Sequence, residues 1–133
     1  MNIFVSYTTR DVFIEKNLLR KVAKALSEFG TPYIDLIHNT ATNKQEHVEL
    51  QLINADFLLL LSSSSIPQSS WVMWEIEKAN KIGLPILSVP ADEKDIPTLL
   101  GNLKTRLAKT LTPKNQMIKT QNNNNNNNNN NSN

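Results

Sequence analysis

Phe57-Leu58-Leu59-Leu60-Leu61 is a run of five apolar residues with nothing polar between them. A strand with one wet face alternates, whereas a strand covered on both faces does not, so this run reads as an inner strand of a parallel sheet. Working outward, the neighbouring segments alternate in type. Asn2 to Tyr7 is a short stretch of β-formers, and Asp11 to Phe29 carries Phe13, Ile14, Leu18, Val22, Ala25, Leu26 and Phe29 at helical spacing. Gly30, Thr31 and Pro32 stop that helix, and Tyr33 to Ile37 predicts a second strand. After a polar loop, His38 to Asn43, a short helix starts near Lys44, with Val48, Leu52 and either Ile53 or Ala55 facing inward. On the other side of the leucine run, Ser62 to Gln68 is a loop, and Ser65 or Ser69 caps a helix reaching about Gly83. Pro85 to Pro90 is the fourth strand.

This order predicts an α/β, flavodoxin-like, three-layer fold with a mostly parallel sheet of 4–5 strands flanked by helices, because parallel neighbours need crossover connections. Further on, Leu99, Leu103, Leu107 and Leu111 recur every fourth residue and suggest an amphipathic helix interrupted by Gly101; a fifth strand at Leu107 to Thr112 is the competing reading. The chain closes on ten consecutive asparagines within Gln121 to Asn133, a tract unable to bury apolar surface. The expected organisation is one domain over residues 1–112 and a disordered, poly-Asn tail over residues 113–133.

Composition removes several function classes. Without cysteine there is no disulfide scaffold, thiol nucleophile or Cys-based zinc site. The start, Met1 to Val5, lacks the marks of a secretory signal, and no apolar run is long enough to span a membrane, so a cytoplasmic address without membrane attachment is expected. The net charge of +2 is uneven: residues 1–95 hold nine Lys/Arg against twelve acids, and residues 96–133 hold five bases and no acid. A nucleic-acid binder concentrates base on its folded face, so the acidic main body argues against that partner, and Lys104, Arg106, Lys109, Lys114 and Lys119 read as a solvated face. With only Gly30, Gly83 and Gly101, neither dinucleotide nor Walker glycine motifs exist. His38 and His47 have no metal-ligand spacing, and no metal is expected.

In an open α/β sheet the ligand crevice lies beyond the carboxyl ends of the strands, where their order reverses. For an order 2-1-3-4 the loops there are Thr8-Thr9-Arg10 and Ser62 to Gln68, both rich in hydroxyls. Trp71 and Glu75 are four apart on one face of the following helix, beside the apolar face of Val72, Ile76, Ala79 and Gly83. Near a helix start, the Glu75 carboxylate is expected to stay ionised at neutral pH and to stabilise developing positive charge; the plain alternative is a solvated helix residue. Asp11 reads as a helix cap more than a ligand group. Ser62 to Ser65 read either as contacts to phosphate or sugar or as polar loop.

Taken together, these segments resemble Toll/interleukin-1 receptor (TIR) domains. Phe4-Val5-Ser6-Tyr7-Thr8-Thr9-Arg10-Asp11 is similar to the family's first strand and loop, and Tyr33-Ile34-Asp35 to its second strand. Ile53-Asn54-Ala55-Asp56 with the leucine run is similar to the third strand, and Ser69-Ser70-Trp71-Val72-Met73-Trp74-Glu75-Ile76 to the W-x-x-x-E helix start. Lys81 to Ile86 resembles the turn into strand four, whereas His38 to Asn43 lacks the glycine common in bacterial members. The resemblance implies an NAD nucleosidase, glycohydrolase or cyclase, that cuts the nicotinamide–ribose bond with Glu75 as catalytic carboxylate and NAD as substrate, not cofactor. It implies a role in signalling or defence and self-association or pairing with other TIR domains. The substrate-binding candidates are Ser6, Tyr7, Thr8, Ser62 and Trp71; Ser6 alternatively bonds backbone, and Trp71 alternatively packs to orient Glu75. Two other readings stand beside this one: a non-catalytic TIR-type interaction module, and a nucleoside deoxyribosyltransferase-like N-glycosidase, which shares Asn54-Ala55-Asp56 and the Lys81 to Pro85 turn.

Overall fold

The computed structural model describes residues 1–11, 13–38, 42–91 and 96–121, with the side chains of 111–121 left aside. Part of the His38–Asn43 loop and nearly all of the asparagine tract lie outside the described residues. The leucine run is β3 (Phe57–Ser62), and it pairs in parallel with β1 (Asn2–Ser6) on one side and β4 (Ile86–Pro90) on the other. β2 (Thr31–Ile34) pairs with the outer side of β1, giving a four-stranded parallel sheet in the order β2-β1-β3-β4. Within the sheet, prolines fall only on the two edge strands, Pro32 in β2 and Pro90 in β4, where a missing N–H leaves no inner ladder bond unmade. The expected α/β, flavodoxin-like architecture is therefore what forms.

Strand order and handedness decide where the helices go. The step from β1 through α1 (Lys16–Leu26) to β2 runs in one direction across the sheet. The steps through α3 (Lys44–Asn54) and α4 (Ser70–Lys81) run in the opposite direction. Right-handed crossovers then set α1 on one face and α3 with α4 on the other. Phe4, Tyr33, Leu58, Val48, Leu52, Ala79 and Leu84 form the core under α3 and α4. Ala55 packs against it, while Ile53 is 65% exposed, which settles the choice between those two. The reversal of direction falls between β1 and β3, as expected from the sequence.

Local hydrogen bonds explain where element ends differ from the sequence reading. α1 begins at Lys16, not Asp11, because the Glu15 side chain accepts the Asn17 N–H at 2.6 Å and takes the capping place. Asp11 is no cap: its two carboxylate oxygens accept the hydroxyls of Ser63 and Ser65, tying the loop after β1 to the loop after β3. β2 ends at Ile34, and Asp35–His38 forms a single helical turn, α2, where the sequence reading continues the strand to Ile37. Here the His38 Nδ1 accepts the Ile34 N–H at 2.8 Å and the Tyr7 hydroxyl accepts the Leu36 N–H at 2.9 Å, so side chains replace ladder bonds on an edge strand. Asn43 caps α3 by accepting the Glu46 N–H, and Ser69, not Ser65, caps α4 by accepting the Val72 N–H.

The chain divides into two compact units. Met1–Asn102 contains the sheet and α1 to α4; the second, from Leu103 on, is the rest of α5 (Ile96–Gln121). α5 forms in place of a strand at Leu107 to Thr112, since the fourfold leucine spacing and the Lys, Arg and Gln content favour a helix. Its backbone runs past the residue 112 boundary expected from the sequence. Among the described residues no helix is long and apolar enough to cross a membrane.

One substitution at two glycines is expected to act with opposite signs. Gly83 ends α4 at φ +75°, a conformation that disfavours a side chain, while Gly101 lies inside α5 with open space around its missing Cβ. Gly83→Ala should lower stability by about 1 kcal/mol or more and Gly101→Ala should raise it by about 1 kcal/mol, read as shifts of a few degrees in thermal melts.

Candidate active site

The reversal point carries a hollow of about 260 Å³ lined by Tyr7, Thr8, Thr9, Asp35, Leu36, Ser69, Trp71 and Glu75. Three elements meet there: the end of β1, the β2–α2 junction and the first two turns of α4. Because β1 and β2 pair in register through Val5 and Ile34, the residues just beyond them, Tyr7 and Asp35, arrive at the same end of the sheet. The bond from Leu36 N–H to the Tyr7 hydroxyl then clamps α2 against the β1 extension. Asp35 is held in turn by the Tyr33 hydroxyl, which donates to its Oδ1 at 3.0 Å.

Glu75 is the charged residue that this arrangement buries. It is 3% exposed, and with Val72 and Ala79 it belongs to the buried stripe of α4. Its Oε1 accepts the Ser6 hydroxyl at 2.7 Å. The Glu75 carboxyl is pushed up to about 8, first by loss of water, while the Ser6 bond holds it down, the charge of Asp35 raises it and the polar influence of the Trp71 side chain lowers it. The expectation that Glu75 stays ionised at neutral pH is therefore corrected. It sits in the second turn of α4, beyond the short reach of the helix dipole, and desolvation prevails. Burial likewise pushes the Tyr7 hydroxyl up to about 12, against the lowering effect of its backbone bond to Leu36, so it is a neutral wall residue.

The other sequence candidates divide. Tyr7, Thr8 and Trp71 line the hollow with Glu75. Trp71 is 38% exposed and stacks on Trp74 with centroids 5.2 Å apart. Ser6 is buried and absent from the lining; its hydroxyl serves Glu75 and not a ligand directly. Ser62 does not reach the site, because it ends β3 opposite Pro90 with its carbonyl accepting the Ala91 N–H. Ser63 and Ser65 hold Asp11, so these hydroxyls are structural in place of phosphate or sugar contacts.

Sequence reasoning placed Thr9 in a crevice loop, missed Asp35 and Leu36 as lining residues and took Ser69 only as a cap. The signal for Asp35 was present in Tyr33-Ile34-Asp35, but its role depends on the chain leaving the strand three residues earlier than the pattern suggests. Among the described residues no group of three or more His, Asp or Glu is placed to hold a metal ion.

Comparison with known proteins agrees with this fold. Residues 4–96 match the model of the family described as "Thoeris protein ThsB, TIR-like domain". The solved structure titled "Structure of the activated Roq1 resistosome directly recognizing the pathogen effector XopQ (TIR domains)" is similar at a TM-score of 0.56 and 18% identity, over 89% of this chain and 76% of that chain. Identity that low speaks to the fold alone. No curated protein matches the chain. The family match spans the whole sheet, both loops of the reversal point and the helix that carries Glu75; the chain belongs to the TIR-like domain family of the Thoeris protein ThsB.

Proposed function

We propose that this domain cleaves the nicotinamide–ribose bond of NAD, with Glu75 as the catalytic carboxylate, in a signalling or defence role. The observation that carries the reading is a carboxyl group 3% exposed, anchored by Ser6, on the wall of the hollow at the strand reversal. A buried acid with a raised proton affinity is costly to keep for packing alone and is characteristic of functional sites. In the proposed reaction the C1′–N bond breaks with its electron pair passing to the ring nitrogen. Nicotinamide leaves neutral and the positive charge moves to the ribose as an oxocarbenium ion. Ionised Glu75 stabilises that charge from a fixed, dry position. Water, losing a proton to solvent, closes the reaction as a hydrolysis; a nucleophile of the same molecule closes it as a cyclisation. Self-association with a second copy, or pairing with other TIR domains, accompanies this proposal.

The protonated resting state is compatible with such chemistry. A cationic ring entering the hollow favours the ionised carboxylate, so substrate itself expels the proton from Glu75. The free enzyme has to lose that proton before the cation is fully accommodated, and this gives the activity a definite pH profile.

Incubating concentrated protein with NAD and separating the products is the primary test. Free nicotinamide from the parent, reduced about a hundredfold or more in Glu75→Ala, is the expected result. No turnover at any concentration, with self-association retained, selects the non-catalytic interaction module, and release of free base from deoxynucleosides selects the deoxyribosyltransferase-like reading. The pH profile is the second prediction: kcat/KM rises through a midpoint near 8 to a plateau, and Ser6→Ala, which removes a bond to the ionised form, moves the midpoint upward. A third concerns stability. Unfolded Glu75 loses its proton near its ordinary 4.5 and folded Glu75 near 8. Between these values the unfolded chain holds fewer protons, so its Glu75 contribution to stability falls as pH rises and is lost above the folded value. Glu75→Gln should therefore melt several degrees above the parent at alkaline pH, with the difference vanishing towards acid.

A further inference from the structure

The described residues lining the hollow include two carboxylates, Asp35 and Glu75, and no Lys, Arg or His. Their settings differ. Glu75 lies in the buried stripe of α4. Asp35 is only half-buried, at the mouth made by α2, with one oxygen fixed by the Tyr33 hydroxyl and its backbone neighbour Leu36 fixed by Tyr7. Tyr33 itself is immobilised, 8% exposed and stacked on Phe4 with centroids 5.4 Å apart. The Asp35 carboxylate is thus aimed by the core and not by a flexible surface loop.

We propose that Asp35 is a specificity-determining residue of this site: its carboxylate, positioned by Tyr33 on the wall shared with Glu75, selects ligands with a fixed positive charge on the departing ring over neutral rings of the same shape. The proposal deepens the NAD-cleavage reading and rests on it. A permanent cation is attracted to both carboxylates, and a ring that fills the hollow displaces the water that would otherwise screen the charge. A neutral ring of the same shape offers Asp35 no net charge to attract. Once the glycosidic bond breaks, the ring becomes neutral and loses that attraction, so the same carboxylate that favours substrate also favours release of the product ring. Asp35 does not have to touch the reacting atoms for this; it sets the charge of the space they occupy.

The test compares binding of the N-methylnicotinamide cation and of neutral nicotinamide to the full chain by calorimetry. The parent should bind the cation about tenfold more tightly than the neutral ring. Asp35→Asn, whose amide oxygen still accepts the Tyr33 hydroxyl, should bring the ratio to within about twofold by weakening the cation alone. Asp35→Glu, which restores the charge, should restore the preference and so separate charge from packing. Equal binding of both rings by the parent overturns the proposal, as does a parent-like ratio in Asp35→Asn. NAD turnover is measured alongside: a cation preference that depends on Asp35 without any turnover counts for this role of Asp35 and against the cleavage reading.

Discussion

The hydrogen bond from the Ser6 hydroxyl to Glu75 Oε1 joins the first strand to the third crossover helix across 69 residues of sequence. It can form only if β1 and β3 are neighbours and α4 lies over them with its second turn above the end of β1. Those conditions are supplied by the leucine strand, which pairs with β1 from Ile3–Phe57 through Ser6–Leu60. A buried carboxyl without such a partner is strongly unfavourable, so the sheet, the crossover and the site are energetically one arrangement. A second tie reinforces it, since Asp11 holds Ser63 and Ser65 and thereby fixes the two loops that flank the reversal point.

The consequence is a site whose charge is set by burial. Removal from water favours the neutral acid, and at the second turn of α4 the helix dipole does not reach far enough to offset it. Asp35 adds a neighbouring negative charge, and Ser6 and Trp71 offset part of the penalty without cancelling it. The balance leaves Glu75 holding its proton near neutrality. Such a group weakens the fold in alkaline solution.

How much of this was legible in the sequence follows from the range of the forces involved. The non-alternating Phe57 to Leu61 run, the helical spacing of α1 and the Pro and Gly stops are local signals, and they lead to the strand order and to the crevice containing Tyr7, Thr8, Trp71 and Glu75. Nothing local reports that Glu75 faces the sheet, because the Val72, Ile76, Ala79 face is equally apolar and only tertiary packing turns Glu75 inward. The same limit hides the end of β2. Tyr33 to Ile37 has strand composition, and the bonds that bend it into α2 come from His38 and the distant Tyr7. The loop after β3 has the composition of a hydroxyl cluster facing ligand, while the acceptor that takes Ser63 and Ser65 is Asp11 from the other loop, a pairing no local pattern reveals.

A carbon-detected NMR titration of the Glu75 side-chain carboxyl, assigned by comparison with Glu75→Gln, tests the account at its centre. The account requires a midpoint near 8 in the free protein and a lower one when a pyridinium cation is bound. A midpoint near the ordinary 4.5, unchanged by the cation, would contradict it, for the carboxyl would then be a hydrated surface group with no proton to expel.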